Sequence, residues 1–177
     1  MRILALDIGT TTGWAVASEH APSLPAPLLG DPEQGAALRH YRHGTWSGPK
    51  HADRGPFYDQ FTAWLSDHIE TFRIGLVAYE FNASAVASVK NQEAARKLFG
   101  LDAMIELVAA EKRLPLIVVN TSSMQKHAVG TGRDSGKKLR KARLRDLGLR
   151  VDDNEGDAIF VLSWVLNDRQ QRRRAAA

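Results

Sequence analysis

Three carboxylates stand in stretches that are otherwise apolar. Asp7 closes the run ILALD, Glu80 lies in VAYEF, and Asp157 lies in GDAIFVLSW. An acid in an apolar element costs desolvation energy unless something pairs with it. One such residue is commonplace. Three of them, each in a separate core element, suggest convergence on a cation. Oxygen-only ligands in a chain with no Cys suit Mg2+ or Mn2+ better than zinc. Two such ions would activate water and hold the leaving oxygen in phosphodiester cleavage.

Each acid also has a plainer role open to it. Asp7 can cap the Gly9–Gly13 turn through its side chain. Glu80 can pair with a base such as Lys90. Asp157 can occupy a first helical turn, where the dipole favours an anion. Asp153 and Asn154 lie four and three residues before Asp157, so all three can share one helical face. Either can add an oxygen ligand, and Asp153 is equally well placed as the N-cap.

The elements that would carry these residues follow from periodicity. Arg2 to Ile8 reads as a strand, Gly9 to Gly13 as a tight turn and Trp14 to Ala17 as the second strand of a hairpin. Glu19 to Ala37 holds four Pro and two Gly and reads as a loop. Leu38 to Trp46 alternates loosely, as a third antiparallel strand would. Phe57 to Phe72 places Phe57, Phe61, Trp64, Leu65, His68, Ile69 and Phe72 on one helical stripe. Ile74 to Phe81 reads as a buried strand, Asn91 to Lys112 as a helix and Pro115 to Val119 as a fifth strand. Ser122 to Ala128, Lys137 to Leu147 and Glu155 to Leu166 read as three further helices. Three antiparallel strands followed by crossover units predict a mixed five-stranded α/β sheet flanked by helices.

The chain has 177 residues and suits one domain, expected over residues 1–168. Residues 169–177 carry Arg169, Arg172, Arg173 and Arg174 and are expected to fray as a basic tail. Mean hydropathy is -0.30, and no apolar run approaches the ~20 residues of a membrane helix. The N-terminus reads as a strand and not as a signal peptide, and the cytoplasm is the expected compartment. Net charge is +4, a weak pointer to nucleic acid by itself. Its distribution says more: Thr121 to Arg150 holds nine Lys or Arg against two Asp. The Gly130–Gly132 turn and the helix after it offer backbone amides and a dense row of cations. Lys126, Arg133, Lys137, Lys138 and Lys141 are the candidate phosphate contacts, which would position DNA without reading its sequence. Lys137 or Lys126 near the metals would also stabilise charge on a scissile phosphate. A solvated helix face accounts for the same run.

Taken together, DIGTTTGWAVA, VAYEF and NEGDAIFVLSWVL resemble the RuvC family of Holliday-junction resolvases, especially its shorter phage-type members. The likeness spans residues 1 to about 166. It implies an RNase H-like fold, a homodimer, and two divalent ions held at four acidic positions. By motif, Asp7 is the first-strand acid, Glu80 the fourth-strand acid and Asp157 the last. It also implies cleavage of branched DNA to 5′-phosphate products. The family's remaining acid falls on Asn154, a neutral donor, which questions the second metal unless Asp153 reaches in. The family's two lysines around a Gly-x-Gly turn match Lys126 and Lys137 with a displacement of about one place. A branched-DNA-binding protein with weak cleavage is the alternative that Asn154 motivates. The first hairpin also resembles the phosphate-binding hairpin of actin-like sugar kinases and that of YqgF-type resolvase-like proteins, which are shorter and follow the Asp with a different turn. A chain this short, with no second hairpin, argues against a nucleotide-binding fragment of the kinase type.

The remaining candidates are minor. His40 and His43, at i and i+3 on a strand, do not share a face and read as surface residues. Trp14, Trp46, Trp64 and Trp164 read as packing. Phe81 is either core or a platform for a base at an opened junction. The helix from Asn91 to Lys112 is the expected dimer surface.

Overall fold

The computed structural model describes residues 1–24, 37–49, 53–81, 91–130 and 136–176, with only the backbone of residues 136 and 137. Five strands form one sheet: β1 (Arg2–Asp7), β2 (Thr11–Ser18), β3 (Arg42–Ser47), β4 (Ile74–Glu80) and β5 (Leu116–Val119). Their spatial order is β3-β2-β1-β4-β5. The first three strands are antiparallel, and β4 and β5 run parallel to β1. Helices α1 (Arg54–Thr71), α2 (Gln92–Glu111), α3 (Thr121–Val129), α4 (Gly136–Asp146) and α5 (Asp153–Ala175) cover both faces.

Because both faces are covered, β1 reads as an almost unbroken apolar run, and its alternate residues enter different layers. Leu4 and Leu6 join Val16, Val77 and Tyr79 against Phe57, Phe61, Leu65 and Ile69 of α1 and Leu101, Ile105 and Val108 of α2. Ile3 and Ala5 join Ala15, Leu76, Ala78 and Val119 against α5. That helix supplies Ala158, Ile159, Val161, Leu162 and Val165, all with no exposed surface. The tryptophans do pack as expected: Trp46 stacks on Trp64 at 5.6 Å and meets Phe57 and Phe61 edge-on.

Several expectations need correcting. The Arg-rich stretch expected as a frayed tail is helical as far as Ala175, as part of α5. Arg169 and Arg173 both reach Glu19, which also holds the N-terminal ammonium at 3.0 Å. The ammonium is the largest influence holding the Glu19 carboxyl down at about 2. The N-cap of α5 is Asp152 and not Asp153; its side chain accepts from the Glu155 amide at 2.9 Å. The stretch from Leu38 starts as a short helical turn before β3 begins at Arg42. Among the described residues no helix is long and apolar enough to cross a membrane.

Candidate active site

Asp7 and Glu80 are partners in the parallel register of β1 and β4, as are Ala5 with Ala78 and Ile3 with Leu76. Alternation along each strand therefore continues the two rows that face α5, Ile3–Ala5–Asp7 and Leu76–Ala78–Glu80. The two acids end those rows side by side, at the carboxyl ends of parallel strands. The plainer role foreseen for Asp7 goes to another residue: Thr12 closes the turn, its hydroxyl donating to the Gly9 carbonyl at 3.0 Å. Lys90, the foreseen partner of Glu80, lies outside the described residues.

Asp157 arrives from above, on the second turn of α5. What brings it close is Gly13, the register partner of Asp7 across the hairpin. A Cβ on Gly13 would lie 1.9 Å from the Asn154 carbonyl oxygen. Only a residue without a side chain lets the first turn of α5 sit on the strand there. A second tie comes from β3, where His43 Nδ1 lies 2.6 Å from Glu155 Oε1. His43 is thus not a free surface residue; it anchors the start of α5.

The electrostatics place all three acids in one neighbourhood. Burial holds the Asp7 carboxyl well above the ordinary carboxylate range, and the charges of Asp157 and Glu80 add to it, with Arg140 opposing. Burial likewise raises Glu80; a hydrogen bond with Thr121, at the start of α3, lowers it, Asp157 raises it and Arg140 lowers it. Desolvated carboxylates crowded in this way favour a positive charge among them.

Arg140 of α4 supplies such a charge. Its Nε and Nη2 donate to the two carboxylate oxygens of Asp157 at 2.6 and 2.9 Å. On the same two helices Lys141 Nζ lies 2.9 Å from Asp153 Oδ1. Sequence reading took Lys137, Lys138 and Lys141 of α4 as phosphate contacts, with a solvated face as the alternative, and did not single out Arg140. The available signal was its place on the inward stripe with Arg143, Leu144 and Leu147, at i, i+3, i+4 and i+7, all buried.

The other candidates fall as follows. Lys126 and Lys138 are exposed on α3 and α4. The Lys137 side chain and all of Arg133 lie outside the described residues. Phe81 is partly buried, packs on the α1–α2 core layer, and meets Phe99 edge-on at 5.8 Å. Asn154 is partly buried beside the Asp7–Gly13 rung. Among the described residues, no group of three or more His, Cys, Asp or Glu side chains stands ready to hold a metal ion. The donor chemistry of Asp7, Glu80 and Asp157 nevertheless fits a hard divalent cation: oxygen ligands, mutually repelling, in a desolvated pocket.

No family model matches the sequence, and no curated protein does. Solved structures do match. Thermus thermophilus RuvC in complex with a Holliday junction substrate aligns over 97% of this chain and 96% of its own, at TM-score 0.70 and 16% identity. T. thermophilus RuvC also aligns in a second structure, over 97% of each chain at TM-score 0.67 and 17% identity. The yeast mitochondrial Holliday junction resolvase Ydc2 aligns over 97% of this chain and 80% of its own, at TM-score 0.60 and 13% identity. The chain thus has an RNase H-like α/β fold, with which its mixed strand order is consistent. The fold it shares with RuvC extends over 97% of the chain.

Proposed function

We propose that this protein is a structure-selective endonuclease that cleaves branched DNA, four-way junctions above all, by metal-assisted phosphodiester hydrolysis. The observation that carries the reading is the meeting of Asp7, Glu80 and Asp157, from two strands and a helix, at one end of a RuvC-type sheet. Asp7, Glu80 and Asp157 would hold Mg2+ or Mn2+, with Asn154 or Asp153 as a further oxygen ligand. The bound ions would supply Lewis acidity and a water of lowered pKa, two ions serving attack and departure, with 5′-phosphate products.

The chain's own residues do the rest. Partial burial beneath α5 limits the access of water to Asp7 and strengthens the charge interactions there. Lys137, Lys126 and Lys138 would track the phosphate backbone, Lys141 would join them on release from Asp153, and Arg133 would serve the preceding turn. Phe81, beside Phe99, would offer a face to an opened base. A junction is twofold, and a homodimer matches that symmetry. Helix α2 supports one, since Phe99, Ala103 and Leu107 form an exposed apolar stripe at i, i+4 and i+8. The stripe borders a groove whose walls include Thr62, Ala63, Met104 and Val108.

The test uses a labelled four-way junction and linear duplex with Mg2+ or Mn2+, alongside Asp7→Asn. Paired nicks in the junction, lost in the variant, support the proposal. Tight junction binding without nicks under either metal would favour a second reading, a branched-DNA binder with weak cleavage. That reading draws on the neutral Asn154 and on the engagement of Asp157 by Arg140.

A further inference from the structure

We propose that Arg140 is an internal counter-ion, holding Asp157 until a divalent cation displaces it and then passing its guanidinium to the scissile phosphate. This rests on the nuclease reading above. The fork is in place: both Asp157 oxygens are occupied, at 2.6 and 2.9 Å. A cation reaching Asp7 and Glu80 would meet the guanidinium already bound at Asp157, and the two positive charges would compete for that carboxylate. The arrangement is also incomplete as a permanent bond. Arg140 is only 8% exposed, yet its buried Nη1 has no hydrogen-bond partner among the described residues. A guanidinium carries five donors, and a settled structural pair normally satisfies those that are buried. Here the two N–H groups of Nη1 have no acceptor among the described residues.

The helix that carries Arg140 suits such a handover. Arg140 and its neighbour Lys141 engage Asp157 and Asp153 in parallel across a small cleft, also lined by Leu144. The cleft lies between the basic helix and the acids. A guanidinium matches a phosphate with the same two-pronged geometry as a carboxylate, whereas an ammonium does not. Arg140 can therefore exchange one anion for the other without being left buried and unpaired, the costly state. Loaded with neither metal nor DNA, the site would have one of its negative charges offset by its own side chain.

The full-length, metal-free protein is titrated with Mn2+ by calorimetry, beside Arg140→Gln. Removing a competing cation should tighten Mn2+ binding by about ten-fold, within the usual range of coupling between linked sites. At saturating Mn2+ the variant should cleave a junction at least about ten-fold more slowly, because the phosphate has lost its fork. Equal Mn2+ affinity in the two proteins, with wild-type cleavage intact, would overturn the counter-ion role and leave the nuclease reading standing. An unchanged cleavage rate would overturn the transfer to phosphate. Failure of both proteins to bind Mn2+ would overturn both this inference and the reading beneath it. Should Arg140→Gln not fold, the wild-type Arg140 Nε–H resonance decides the matter. Mg2+ should shift it and speed its exchange with water; a resonance untouched while Mg2+ binds overturns the proposal.

Discussion

Replacing Gly13 with alanine tests how α5 is brought to the sheet. The added Cβ would lie 1.9 Å from the Asn154 carbonyl oxygen, 2.2 Å from its carbon and 2.7 Å from the Glu155 nitrogen. All three are backbone atoms, so no rotamer change relieves the clash. Restoring contact at about 3.5 Å requires the helix to retreat by roughly 1.5 Å. Overpacking costs about 1–3 kcal/mol, and the backbone origin of this clash points to the upper end. At about 2–4 °C per kcal/mol for a chain of this length, melting should fall by roughly 6–12 °C. Asp157 rides on the same helix, and a misplacement of about 1 Å can cost ~100-fold in rate. Melting curves and junction cleavage measure the two effects separately. Gly55→Ala is the control, since a Cβ there meets nothing within 4 Å; in the first turn of α1 it should be neutral or slightly stabilising. A Gly13→Ala protein that melts and cleaves like the wild type would refute the close-approach argument.

Other perturbations follow from the same geometry. Asp7 has its carboxyl raised by burial and by neighbouring acids, so the metal-free fold should lose stability as pH rises through the ordinary carboxylate range; Asp7→Asn should flatten that slope in urea melts while abolishing cleavage. His127, bonded to Ser163 at 2.8 Å, is pulled from 6.5 to about 4, chiefly by burial. The unfolded chain then binds the proton first, so the fold should lose roughly 3 kcal/mol as pH falls from 6.5 to 4; an NMR titration of His127 with a midpoint near 6.5 would contradict this. Lys138→Ala should weaken DNA binding about equally across sequences and reduce the log–log salt slope by about 1, measured by fluorescence anisotropy. Leu107 is 50% exposed on α2, and Leu107→Asp should give monomers in sedimentation if α2 pairs two copies.

Periodic patterns made the sheet legible, and single contacts between distant segments did not. Five strands, their order of direction and the helices between them could be read because alternation and 3.6-residue stripes survive in the sequence. Asp7 and Glu80 stood out for the same reason, as charges interrupting apolar runs. The boundaries shifted where tertiary bonds added residues. Thr11 joins β2 because it pairs with Ser47 of β3. The last helix extends past Leu166 because Arg169 and Arg173 find Glu19, some 150 residues earlier. His43 looked free because its partner Glu155 is 112 residues away. No local pattern announces such pairs.

The helical register of α4 explains how one basic segment can serve two kinds of anion. Lys138, Lys141 and Arg145 fall at i, i+3 and i+7 and are exposed. Arg140 and Arg143 fall between them on the stripe that also buries Leu144 and Leu147. The outward cations face water, Lys141 while paired with Asp153, and would meet a phosphate backbone where their worth depends on salt. The inward cations are desolvated, and Arg140 acts on Asp157 in a medium that screens it little. Substituting the outward row should therefore change DNA affinity in a salt-dependent way. Substituting Arg140 should instead change metal affinity in a way that salt barely alters. A helix face only about 100° away decides which chemistry a given positive charge performs.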